Sequence, residues 1–161
     1  MRRLKSNGFS LVEMLVVLAV LSVLAAVTVP YAEMTVKRDK ELELHRDLRQ
    51  MRSAIDRFHS DWRDGLIAKF GVEVSEDGYP KSLEDLVEGV EINGPRPFRE
   101  KYLRRIPENP VGDPDLPPDQ QWGLRSYADS ADATQWGGQD VYDVYAPGDA
   151  KALNGSYYHD W

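Results

Sequence analysis

Glu13 is the one ionisable side chain in an otherwise apolar segment that runs from Phe9 to Val29. Inside a bilayer a carboxylate costs about 2.5 kcal/mol or more near the centre and less toward the edge, so it needs a positively charged partner. No side chain of the segment supplies one. Cleavage between Gly8 and Phe9 would create an α-amino group about one helical turn from Glu13, or beside Glu13 of a neighbouring chain. These residues therefore indicate an ion pair that becomes available after a proteolytic cut.

The apolar segment is long enough to cross a membrane. It contains 21 residues, and at about 1.5 Å of rise per residue the helix matches the hydrocarbon thickness of a bilayer. Three basic residues precede it, Arg2, Arg3 and Lys5. Their position predicts a cytoplasmic N-terminus and places the chain after Pro30 on the far side of the membrane. We expect a single-pass protein of the bacterial inner membrane with a periplasmic C-terminal domain.

The run Gly8-Phe9-Ser10-Leu11-Val12-Glu13, with a basic leader before it and an apolar helix closed by Pro30 after it, resembles the class III signal of type IV pilins and type II secretion pseudopilins. The resemblance implies that a prepilin peptidase cuts after Gly8 and that Phe9 is N-methylated. It also implies that Glu13 pairs with the amine of Phe9 during filament assembly. Pro30 is expected to kink or interrupt the helix without necessarily ending it.

Two other interpretations of this N-terminus stay open. A secretory signal peptide also has a basic region followed by an apolar one, but its apolar region usually spans about 7–15 residues and precedes a small-x-small cleavage site. The nearest imitation of such a site here is Val23-Leu24-Ala25. An uncut membrane anchor is the second alternative. Neither gives Glu13 a role.

The composition limits the classes of function. The chain has 161 residues and a formal net charge of −7; removal of residues 1–8 takes away three basic residues and no acidic one, which gives −10. This acidic balance argues against a nucleic-acid partner. There is no cysteine, and no nucleophile, zinc-protease or Walker motif occurs, so the sequence indicates no enzymatic activity.

After the apolar segment the chain predicts an α+β fold. One helical stripe recurs at spacings of three and four, comprising Leu44, Leu48, Met51, Ile55, Phe58 and Trp62, and we expect it to pack on the outer domain, with a short coiled-coil seam as the alternative. Ser82 and Asp85 predict a capping box for a short helix. Residues 122–128 and 140–146 predict antiparallel strands of a three- or four-stranded sheet laid on that stripe.

The chain therefore divides into four predicted segments. Residues 1–8 form a leader, 9–29 a transmembrane and assembly helix, 30–64 an amphipathic helix, and 65–161 a globular region. This arrangement of a long helix packed on a small antiparallel sheet is the type IV pilin-like architecture that the N-terminal resemblance implies.

A second resemblance covers the outer domain. Four segments are similar to the outer domain of major, G-like type II secretion pseudopilins: Gly78-Tyr79-Pro80, Leu83 to Leu86, Tyr102-Leu103-Arg104-Arg105-Ile106-Pro107, and Asn109-Pro110. The resemblance implies a structural subunit that assembles with its own copies and other pseudopilins into a periplasmic filament. It further implies an inner-membrane secretion platform as partner and a role in protein export across the outer membrane. The alternatives are a type IV pilin for adhesion or motility, and a membrane-tethered periplasmic enzyme or binding domain.

Calcium is a question that the same resemblance raises, because major pseudopilins carry a calcium site in their C-terminal loop. Asp140, Asp143 and Asp149 are the candidate ligands here. The sequence departs from the family pattern, since the segment 146–152 is short and Lys151 stands where further acidic ligands would be expected. Calcium takes six to eight oxygen ligands, which are not visible, so we expect no cofactor and solvated turn carboxylates here, and retain a calcium site as the alternative.

Mass spectrometry of the mature protein tests the N-terminal interpretation. We expect a chain that begins at an N-methylated Phe9. An intact Met1 would instead indicate a membrane tether, and a start near Ala26 would indicate a secreted protein.

Overall fold

A computed structural model describes residues 9–67, 74–93 and 98–161 of the protein. The chain forms two compact units, Met1–Arg38 and Asp39–Trp161. The predicted leader, residues 1–8, lies outside the described residues. The predicted amphipathic segment 30–64 is shared between the two units, because the first unit ends at Arg38.

Helix α1 spans Leu11–Arg63 and contains 53 residues. It is long and apolar enough in its N-terminal part to cross a membrane. The helical backbone continues through Pro30, which agrees with the expectation that this residue does not necessarily end the helix. A proline removes one hydrogen bond of the helical ladder, and the bonds on either side suffice to keep the segment helical.

In the second unit, one stripe of helix α1 forms the centre of the hydrophobic core. Its members are almost completely buried, namely Leu44, Leu48, Met51, Ala54, Ile55 and Phe58, and Trp62 is partly buried beside them. They pack with residues of the outer loops and short elements, including Leu86, Tyr102 and Val144. The predicted packing of this stripe on the protein's own outer domain is confirmed. The helix ends before Gly65, whose φ of 78° suits a glycine that follows a helix.

A short helix, α2, spans Leu83–Glu88 and begins at the predicted capping box. The Ser82 hydroxyl accepts a hydrogen bond from the Asp85 amide at 3.3 Å, and the Asp85 carboxylate accepts one from the Ser82 amide at 2.8 Å. This reciprocal pair satisfies two amides that the first turn would otherwise leave without partners. Leu83 and Leu86 lie on its buried face.

Within residues 9–67, 74–93 and 98–161, four strands of three residues each form two separate antiparallel sheets. β1 (Val90–Ile92) pairs with β2 (Phe98–Glu100), and β3 (Gly123–Arg125) pairs with β4 (Asp143–Tyr145). The antiparallel pairing of the two predicted C-terminal strands is confirmed, with Leu124 opposite Val144. The expected single sheet of three or four strands is wrong for the described residues, because two sheets of two strands take its place.

The predicted strand 140–146 is shorter in the structure, where β4 covers only Asp143–Tyr145. Before it, the Tyr142 amide donates to the Arg125 carbonyl at 2.8 Å and the Val141 amide donates to the carbonyl of Pro80 at 2.7 Å. Val144 and Tyr145 are both buried, so side chains of this strand do not alternate between a buried and an exposed face. The Tyr145 ring covers Gly123, where an added Cβ would lie 2.2 Å from Cζ of that ring. A strand buried on both faces does not show simple alternation.

Substitution of a stripe residue by alanine tests the importance of this core. We expect Leu48→Ala to lower the free energy of unfolding by about 3 kcal/mol, because the site is fully buried and the deletion leaves a cavity. The matched control is Leu42→Ala on the same helix, where Leu42 is 56% exposed; we expect a change within about 0.5 kcal/mol. Urea unfolding of the full chain in detergent, followed by tryptophan fluorescence, measures both. Equal effects of the two substitutions would contradict the assignment of the core.

Candidate functional site

Phe9 and Ser10 lie immediately before helix α1, and Glu13 lies in its first turn. The helix begins where the Ser10 carbonyl accepts a hydrogen bond from the Met14 amide at 3.1 Å. A negative charge in the first turn is favoured by the exposed amides of a helix N-terminus. Gly8, the predicted residue before the cut, lies outside the described residues. The predicted processing and assembly roles of Gly8, Phe9, Glu13 and Pro30 stay predictions.

The spacing of Phe9 and Glu13 determines what chemistry this end of the chain can perform. In the uncut chain the nitrogen of Phe9 belongs to a peptide bond and carries no charge. After a cut it would be an amine, which is protonated at neutral pH. Four residues separate it from Glu13, which is about one helical turn. The uncut chain therefore lacks the cation that the cut chain would present.

The first unit leaves its apolar side chains uncovered. The large apolar residues from Phe9 to Leu24 that the structure describes as exposed have 47–76% of their surface accessible. A continuous apolar surface of this kind is stable in lipid or against other apolar helices, and not in water. This surface and Glu13 share the same helical segment.

The calcium candidate Asp143 is held between two arginines. Its Oδ1 accepts a hydrogen bond from Arg52 Nε at 2.7 Å, and its Oδ2 lies 3.4 Å from Nη1 of Arg125. The Arg125 side chain is only 9% exposed, and its guanidinium also lies over the Tyr145 ring, 4.1 Å from the centroid. Two positive charges beside this carboxylate disfavour the binding of a calcium ion to it.

The other two calcium candidates lie in different surroundings. Asp140 is buried, and its Oδ1 accepts a hydrogen bond from the Tyr127 amide at 2.9 Å. Burial raises the pKa of its carboxyl group above the usual value. Asp149 is exposed. Within the described ranges, no group of three or more His, Asp or Glu side chains is arranged to hold a metal ion, so these three aspartates are not brought together as a ligand set.

Arg52 has a role that the sequence analysis did not identify. It is half-buried on helix α1, and besides Asp143 its Nη2 donates to the backbone oxygens of Val144 at 3.0 Å and of Trp161 at 2.7 Å. Arg52 thus joins the helix to β4 and to the C-terminal segment. Its spacing puts it outside the apolar stripe, and its carboxylate partner is 91 residues away, so no local pattern of the sequence points to it.

The second unit also carries an acidic cleft of about 550 Å³. Six carboxylates line it, those of Glu43, Asp47, Glu84, Glu88, Glu108 and Asp119, together with Arg105. Burial raises the pKa of the Asp47 carboxyl group, and the neighbouring negative charge of Glu43 raises it further. The cleft therefore gives this unit a surface that favours cations over anions.

In the described residues, a membrane-suited helix continues into a small α+β unit and carries a glutamate in its first turn, which is the arrangement that the pilin-like resemblance implies. The family model described as "Prokaryotic N-terminal methylation motif" matches residues 3–29. The chain is 28% identical over 149 residues to the type II secretion system core protein G of Pseudomonas aeruginosa (strain PAO1), covering 89% of this chain and 96% of the relative. No solved structure matches it significantly. The motif and this similarity over most of the chain support its assignment to the type II secretion pseudopilins, as the sequence analysis predicted.

Removal of the Asp143 carboxylate tests the role of the arginine pair. We expect Asp143→Ala to lower the free energy of unfolding by about 3 kcal/mol, because it removes the carboxylate that Arg52 and the nearly buried guanidinium of Arg125 share. Asp149→Ala, in the exposed C-terminal segment, is the matched control, and we expect a change within about 0.5 kcal/mol. Thermal and urea unfolding of the full chain in detergent measure both. An Asp143→Ala protein as stable as the control would show that the pair contributes nothing to stability.

Proposed function

We propose that the protein is a structural subunit of a type II secretion pseudopilus, the periplasmic filament that helps to export proteins across the outer membrane. The observation that carries this proposal is the N-terminal methylation motif on a membrane-suited helix. The similarity to a type II secretion core protein over most of the chain supports the same system. The role is structural and not catalytic.

Processing is the first step of the proposed function. A prepilin peptidase cuts between Gly8 and Phe9 and methylates the new amine of Phe9. The match of the methylation motif to residues 3–29 supports this step. Until the cut is made, the subunit is stored in the inner membrane with its N-terminus in the cytoplasm and its second unit in the periplasm, as the basic residues before the apolar segment indicate.

Assembly transfers the apolar part of helix α1 from lipid to other helices. Because lipid is as apolar as the side chains, the transfer gains little from the hydrophobic effect and depends on close packing and on polar contacts. Glu13 supplies such a contact, since its charge in apolar surroundings is tolerated when the Phe9 amine of a neighbouring copy lies opposite. This requirement fixes the axial register of the subunits.

The product is an open helical filament. Head-to-tail contacts between different surfaces of identical subunits extend into an open helix when the rotation between subunits does not close, and the same contacts allow other pseudopilins to add. An inner-membrane platform of the secretion system extracts the subunits from the bilayer. The similarity to a core protein of that system supports other components of type II secretion as the partners.

Substitution of Glu13 separates insertion from assembly. We expect Glu13→Ala to be inserted, cut and methylated as the unchanged protein is, and to form no filament. Removal of one partner of a desolvated ion pair costs about 3 kcal/mol or more. This cost lowers the equilibrium constant for the addition of each subunit more than about a hundredfold. Mass spectrometry of the N-terminus, membrane fractionation and electron microscopy of overproduced filaments measure the three steps.

The matched control is Glu33→Ala, which removes a carboxylate from the same helix outside the apolar segment. We expect this variant to be processed and to assemble. Filaments of normal yield from Glu13→Ala would remove the proposed register role. Failure of cleavage in that variant would instead assign Glu13 to recognition by the peptidase.

A further inference from the structure

The last fifteen residues, 147–161, form a segment that we call the C-terminal loop. It closes on itself through a small hairpin: Lys151 and Tyr157 form an antiparallel bridge, and the Ala152 amide donates to the Ser156 carbonyl at 2.8 Å. Gly155, with a φ of 88°, allows the reversal of the chain. The backbone of the hairpin therefore has protein partners of its own.

A positive charge lies within this hairpin. The Lys151 ammonium group is 4.8 Å from the centroid of the Tyr157 ring, a distance at which a cation is attracted to the ring face. The loop thus contains its own cation beside an aromatic side chain. A bound divalent ion in the same loop would be repelled by the lysine.

Glu41 of helix α1 holds the hairpin from outside. Its Oε1 accepts a hydrogen bond from the Leu153 amide at 2.7 Å and one from the Tyr158 hydroxyl at 3.0 Å. Leu153 lies in the hairpin turn, and Tyr158 directly follows the bridge residue Tyr157. Tyr158 is almost fully buried, so its hydroxyl would be costly to leave without an acceptor. One carboxylate oxygen therefore attaches both the turn and the residue after the hairpin to the helix.

Two further residues of helix α1 hold the end of the loop. The His45 ring stacks on the Trp161 ring, with the centroids 4.0 Å apart and an interplanar angle of 1°. Arg52 donates to the backbone oxygen of Trp161 at 2.7 Å. Residues 41, 45 and 52 are separated by four and seven positions, which places them on one side of a helix.

The C-terminal loop contains two acidic residues. They are Asp149, which is exposed, and Asp160, whose Oδ1 lies 3.4 Å from Nε2 of His159. Calcium takes six to eight oxygen ligands, most of them from carboxylates and carbonyls that converge on one point. In the part of the chain that the structure describes, no three acidic or histidine side chains are arranged in this way. The residues present do not fit the calcium site that the pseudopilin resemblance implies.

We infer that protein contacts alone hold the C-terminal loop on helix α1, with Glu41 as its main anchor, and that the subunit reaches its full stability without calcium. Contacts that Glu41, His45, Arg52 and Lys151 make here replace the link that a metal ion would provide. The inference concerns the folding of one subunit, and it does not depend on the proposed assembly into a filament.

Thermal unfolding of the full chain in detergent tests the metal independence. All four tryptophans lie in the second unit, so tryptophan fluorescence reports the unfolding of that unit. We expect the same Tm, within about 1 °C, in excess EGTA and in millimolar calcium chloride. An ion that binds the folded loop and not the unfolded chain raises Tm by mass action. A calcium-dependent rise of several degrees, with saturable heat in calorimetric titration, would overturn the inference.

Substitution of the anchor tests the second half of the inference. We expect Glu41→Ala to lower Tm by about 6 °C, because two donors lose their acceptor and one of them is buried. Limited proteolysis should cut the C-terminal loop of this variant faster, and calcium should not restore either property. Glu33→Ala, eight residues earlier in helix α1, is the matched control and should keep the Tm of the unchanged protein.

Two results would contradict the role of Glu41. A Glu41→Ala protein with unchanged Tm and unchanged proteolysis would show that the carboxylate does not anchor the loop. Recovery of its Tm on addition of calcium would show that a metal site lies nearby. If Glu41→Ala does not fold, the comparison of the unchanged protein in EGTA and in calcium still decides the metal independence.

Discussion

Helix α1 has to be stable in two different surroundings along its length, and the rest of the structure follows from that requirement. Its N-terminal part is apolar on every side, which suits lipid or the helices of other copies and does not suit water. In the second unit the same helix carries one apolar stripe, which is buried by short strands, one short helix and long loops. Helix α1 therefore packs in two ways. Its N-terminal part is suited to lipid or to the helices of other copies, and its single stripe packs on the elements of the second unit.

The second unit is held together differently from a protein with a large sheet. In the part of this unit that the structure describes, the strands have three residues each and form two separate pairs, so sheet hydrogen bonds contribute little to its cohesion. The buried stripe supplies most of the apolar contact, and side chains of helix α1 that carry charge supply the connections to the loops. Arg52 donates to Asp143 and to the backbone of the last residue, while Glu41 accepts hydrogen bonds from the Leu153 amide and the Tyr158 hydroxyl.

These charged contacts are specific because they are partly desolvated. The guanidinium of Arg125 is nearly buried, and Asp143 is about three-quarters covered. In such surroundings a charge without its counter-ion is costly, so each pair tolerates few alternative arrangements. We attribute the defined course of the long C-terminal segment to these contacts more than to its secondary structure.

The features that could be predicted from the sequence have local or periodic causes. The apolar segment with Glu13, the stripe from Leu44 to Trp62 and the capping box at Ser82 each depend on residues a few positions apart. The helix stripe and the capping box are confirmed by the structure. The number of strands in a sheet could not be predicted in this way, because it depends on which segments far apart in the chain meet, as Val141 and Pro80 do.

The sequence by itself determined that the chain has a membrane-suited helix with one carboxylate in it, that this helix continues as an amphipathic one, and that its N-terminus and outer domain resemble those of the pseudopilins. Only the tertiary structure decided which charged residues of helix α1 are structural. Arg52 and Glu41 have partners 91 to 117 residues away in the chain. Helical periodicity places such side chains outside the apolar stripe, and it carries no information on which distant loop will cover them.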